Sequence, residues 1–107
     1  MATANTPHDP HDPRLIGTWQ RSEPAPACAS KYAMRLQIQA GGLYSGQAAT
    51  AGEFTWWDAG TWRVKAPGVL ALSVANDEVV DYRFELQGGS LTVTDKDGCR
   101  FSYHRMP

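Results

Sequence analysis

Three tight, glycine-bearing turns, Ala40-Gly41-Gly42, Ala66-Pro67-Gly68 and Gln87-Gly88-Gly89, each separate two runs whose apolar residues alternate. A chain that crosses back and forth between such turns puts all three at one end of a β-meander. The connections at the other end include two long ones, and the longest carries Phe54-Thr55-Trp56-Trp57-Asp58. The asymmetry predicts a small antiparallel barrel with one pinched end and one open, aromatic-rimmed end.

Apolar residues recur with period two almost everywhere past residue 14, and no stretch of ten or more has helical spacing. Strands are expected near 15–22, 32–40, 43–48, 60–66, 69–75, 78–87, 90–95 and 99–106. In the second, Tyr32, Met34, Leu36 and Ile38 face in against Arg35, Gln37 and Gln39; in the sixth, Val80, Tyr82, Phe84 and Leu86 oppose Asp81, Arg83 and Glu85. Strands with one wet and one dry face suit an antiparallel sheet. Eight of them in up-and-down order protect their edges best by closing the first onto the last. The expected fold is therefore all-β, an eight-stranded antiparallel up-and-down β-barrel. A two-sheet sandwich is the rival, and the short sequential hairpins favour the meander.

At 107 residues the chain suffices for one domain with its own core. Its net charge of −1 gives no electrostatic reason to expect nucleic acid or an anionic membrane as partner. No apolar run approaches the roughly 20 residues that span a bilayer. The first residues, Met1-Ala2-Thr3-Ala4-Asn5-Thr6-Pro7, show neither a basic region nor an apolar one, so a cytoplasmic protein is expected unless a signal lies outside this sequence. Residues 1–13 hold three prolines and a direct repeat, His8-Asp9-Pro10 and His11-Asp12-Pro13, which reads as a flexible tail ahead of a barrel domain over 14–107. His8 and His11 could weakly bind a transition metal; a polar tail is the plainer reading.

Leu15-Ile16-Gly17-Thr18-Trp19 on the first strand and Tyr103-His104-Arg105 at the end of the last resemble the lipocalin superfamily and its smaller bacterial relatives, the streptavidin-like barrels of the calycin group. The resemblance implies that Gly17 and Trp19 lie at the closed end and that Arg105 stacks on Trp19. Such a stack contributes about 0.5–2 kcal/mol. The chain is shorter than typical lipocalins and lacks their C-terminal helix. No residue set carries biotin binding across, so the resemblance concerns fold rather than ligand.

With the glycine turns at the closed end, the open rim falls to residues 23–31, 48–59, 75–77 and 95–98. Trp56 shares parity with Trp62, so both are expected in the lumen with Trp57 pointing away; truncating Trp19 should then cost more stability than truncating Trp57. A pocket lined by Tyr32, Met34, Trp56, Trp62 and Val80, with Asp58 or Asn76 orienting the guest, suits a small apolar or aromatic ligand. The alternative is that these side chains simply plug the barrel. Cys28 and Cys99 can meet at the open end: a disulfide is expected in an oxidising compartment, two buried thiols in the cytosol. Without Cys-x-x-Cys spacing they make no strong metal site.

No Gly-x-Ser-x-Gly, phosphate-cradling loop or inward carboxylate pair is present, so no catalytic residue, cofactor or metal is assigned. The leading expectation is a non-catalytic ligand-binding barrel, monomeric or homodimeric. A protein-interaction or inhibitor module using the tail and rim loops is the alternative, and a shape-selective cyclase or isomerase comes third.

Overall fold

Eight strands joined in sequence order close into an antiparallel barrel: β1 (Gly17–Arg21), β2 (Arg35–Ile38), β3 (Leu43–Gln47), β4 (Ala59–Ala66), β5 (Val69–Ser73), β6 (Val79–Gln87), β7 (Ser90–Thr94) and β8 (Arg100–Arg105). The computed structural model describes residues 9–50 and 52–107. Each strand pairs with its sequence neighbours, and β1 pairs with β8 through Trp19–Arg105, Gln20–His104 and Arg21–Tyr103, so no edge is left open. The three glycine turns share one end, as the alternation requires.

The closed end is locked at that seam. Trp19 is fully buried, and its indole N–H donates to the Leu15 carbonyl at 2.9 Å. The Arg105 guanidinium lies 4.4 Å from the Trp19 ring centroid, donates to the Ile16 carbonyl at 2.7 Å, and also reaches the Arg14 carbonyl. Gly17 is required here: its φ is +139°, and a Cβ would sit 2.6 Å from Arg105 Nη1. Residues 9–15 cross this end. Asp12 caps a short 3-10 turn, Pro13–Leu15, and the Pro10 carbonyl accepts from the Val64 amide at 2.7 Å. His11 packs on Trp62 with ring centroids 5.1 Å apart. Of the expected flexible tail, residues 9–13 are thus seated on the barrel, while residues 1–8, including His8 of the suggested histidine pair, lie outside the described residues.

The inward faces fill the lumen. Between Leu36, Ile38, Tyr44, Trp57, Leu70, Leu72, Leu91 and Val93 only about 10 Å³ is empty, at the lower limit for one water.

The expected orientation of the two adjacent tryptophans is reversed. Trp57 is fully buried in the aromatic cluster with Tyr32, Tyr82 and Phe101, and its indole N–H donates to the Tyr82 hydroxyl at 3.1 Å. Trp56 is only half-buried. Shared parity between Trp56 and Trp62 requires one strand to run through both residues, but β4 begins at Ala59 and the chain turns through 56–58, which resets the alternation. Gly46 on β3 makes room for that turn: a Cβ there would lie 1.9 Å from the Trp57 carbonyl oxygen.

Candidate functional site

The open end is roofed by a segment that alternation alone does not predict. Between β1 and β2 the chain forms a 3-10 turn, Ala27–Lys31, held down from four directions. Cys28 is disulfide-bonded to Cys99, the residue just ahead of β8. Arg21, nearly buried at the end of β1, donates to the Ala29 carbonyl at 2.8 Å. The Tyr103 hydroxyl donates to the Ala33 carbonyl at 2.6 Å, and the Tyr32 hydroxyl donates to Asp95 Oδ2 at 2.7 Å.

Asp95 anchors the β7–β8 turn. Its side chain is only 3% exposed, and Oδ1 accepts from the Asp97 and Cys99 amides at 2.9 and 2.8 Å. Burial pushes its carboxyl up. The Tyr32 hydroxyl, the two amides and the Lys31 ammonium, 3.9 Å from Oδ2, outweigh that and hold it below the usual carboxylate range. Burial also raises the Tyr32 phenol far above its ordinary value, with Asp95 adding to the shift.

Beside this anchor a cleft of about 220 Å³ opens between the roof, the 54–58 turn and the β5–β6 and β7–β8 connections. Tyr32, Trp56, Val74, Val80 and Tyr82 form its apolar wall, and Lys31, Asn76, Glu78, Lys96 and Asp97 its polar rim. The Asn76 side-chain amide donates to the Glu78 carboxylate, so these two rim groups are already mutually engaged.

The chain matches no family model, no curated protein and no solved structure. Its site therefore rests on the geometry alone.

Of the residues expected to line a pocket, Tyr32, Trp56, Asn76 and Val80 do come together in the cleft. Three do not. Trp62 lies toward the closed end, donating through its indole N–H to the Gln39 carbonyl at 2.8 Å beneath His11. Met34 is half-buried and outside the cleft, because the irregular backbone ahead of β2 buries both Tyr32 and Ala33 and breaks the alternation there. Asp58 borders a separate depression of about 570 Å³ on the 46–58 segment, and its Oδ1 accepts from the Ala59 amide as a turn residue does. That depression is larger, but its walls are mostly loop residues, and the one aromatic among its described lining residues, Phe54, is itself largely exposed.

Sequence reasoning missed Lys31, Tyr82 and Asp95 as cleft residues. Asp95-Lys96-Asp97-Gly98 is a recognisable turn, and a turn aspartate bonding the amides two and four residues on follows from it. That a tyrosine 63 positions away would donate to the same carboxylate has no local signal.

Proposed function

We propose that the protein is a non-catalytic binder of a small, largely apolar ligand about the size of a single ring, held in the open-end cleft. The observation that carries this reading is the aromatic and aliphatic wall of Tyr32, Trp56, Val74, Val80 and Tyr82 around about 220 Å³. The volume falls below the about 300–1,000 Å³ of drug-sized sites, which limits the guest. Asp95 accepts from three fixed donors, which supports a structural carboxylate rather than a free general base. The seam of Gly17, Trp19 and Arg105 supports kinship with the lipocalin and streptavidin-like barrels. The Cys28–Cys99 bond supports work in an oxidising compartment in place of the cytoplasm expected from the first residues.

The test is a fluorescence titration with neutral single-ring compounds, since Trp56 is the tryptophan on the cleft wall. A saturable change that disappears in Val80→Trp, which fills the cleft, is the expected result. Saturation unaffected by that substitution would place the guest elsewhere and remove the reading.

A protein-interaction module draws on one specific feature, Phe54, which is 64% exposed and packs edge-on against Trp56. Residues 9–12 lie at the closed end, so a partner gripping both them and the 48–58 loop would have to span the barrel.

A further inference from the structure

The cleft already holds a cation of its own. The Lys31 ammonium sits 5.4 Å from the Tyr32 ring centroid and 3.9 Å from Asp95 Oδ2, with its side chain 43% exposed. It makes the contact a ligand ammonium would make, over a π-face and beside a buried carboxylate, yet at 3.9 Å it donates no hydrogen bond to that carboxylate. A long, half-exposed stem can swing outward with little lost.

Two further features favour positive charge in the same space. Glu78, Asp95 and Asp97 set three carboxylates around the cleft against the ammonium groups of Lys31 and Lys96. Tyr32, Trp56 and Tyr82 present three aromatic side chains, tryptophan being the strongest partner for a cation. A neutral apolar guest uses the wall but leaves the acidic excess unanswered, and a guest carboxylate adds to it.

We propose that the ligand is a small organic ammonium with an apolar body, its cationic head displacing Lys31 from its place over the Tyr32 ring and beside Asp95, and its body lying against Trp56, Val74 and Val80. This rests on the open-end cleft being the binding site. The head enters from the side Lys31 now occupies, so Lys31 is a built-in competitor for the guest.

Benzylammonium, benzyl alcohol and benzoate share one ring and differ in the charge of the head, which makes them the probes. On the full chain with its disulfide intact, benzylammonium should bind about five- to tenfold tighter than benzyl alcohol, with benzoate weakest. Lys31→Met keeps the apolar stem and removes the competing charge, so benzylammonium should bind several-fold tighter to it, while benzyl alcohol changes little. Benzyl alcohol or benzoate binding as well as benzylammonium, or Lys31→Met weakening benzylammonium, overturns the ammonium assignment while leaving the cleft as a binding site. Failure of all three to saturate removes the cleft reading and this inference with it. Should Lys31→Met not fold, the ranking of the three probes on the unaltered chain decides alone.

Discussion

Trp56 and Trp57 are neighbours separated by a backbone turn, and that turn sets their energetic weights. Trp57 has no exposed surface and touches four other rings, whereas Trp56 stands half-out at the cleft wall. Trp57→Ala is expected to cost about 3–5 kcal/mol, as large core truncations do. Trp56→Ala should cost about 1 kcal/mol. Urea unfolding of the two variants checks the order, and equal midpoints would contradict it. Residues inside regular strands were legible one by one: Leu36, Ile38, Tyr82, Phe84, Phe101 and Tyr103 all face in as alternation requires. Trp57 and Met34 were not: Trp57 lies in the turn ahead of β4, and Met34 follows the irregular Tyr32-Ala33 backbone ahead of β2 and is only half-buried.

The strands and their order could be read from the sequence because turn chemistry and alternation agree; the 22–34 excursion could not, because nothing periodic marks it. Its position comes from long-range ties, the Cys28–Cys99 bond across a sequence separation of 71 and the Tyr32–Asp95 hydrogen bond across 63. Chain-entropy arguments give a bridge of that span about 4 kcal/mol. Cys28→Ser with Cys99→Ser should therefore lower stability by about 2–4 kcal/mol. The loss should be uneven. Hydrogen exchange should quicken over 22–33 and 95–99 while Trp19 and its neighbours in β1 keep their protection, since the Arg105 seam stands at the opposite end. Uniform loss of protection would mean that the roof and the barrel open as one unit.

Across the whole molecule, the pH range of stability is set by which protons the packed interior refuses to exchange. At the acid side Asp95, held below the usual carboxylate range, favours the fold above the unfolded aspartate value near pH 4. That contribution disappears as pH falls through the folded value. At the alkaline side four phenols act together: burial raises Tyr32, Tyr44, Tyr82 and Tyr103, with Asp95 adding to the shift at Tyr32 and Tyr82 and Asp58 at Tyr44. For a raised pKa the sign runs the other way. The folded chain keeps protons that the unfolded chain sheds near pH 10, so stability is whole below that value and falls as pH rises beyond it. All four phenols are buried in the folded chain, so each adds its own loss to the alkaline fall. Thermal unfolding scans should give a midpoint nearly constant from about pH 5 to 9 and falling steeply above about pH 10. Tyr44→Phe removes one of those phenols and should flatten the alkaline slope. It also removes the 2.6 Å hydrogen bond from Tyr44 to the Ser73 carbonyl, which lowers the neutral plateau by about 1 kcal/mol. A slope unchanged by that substitution would show that Tyr44 ionises as freely in the folded barrel as in the unfolded chain.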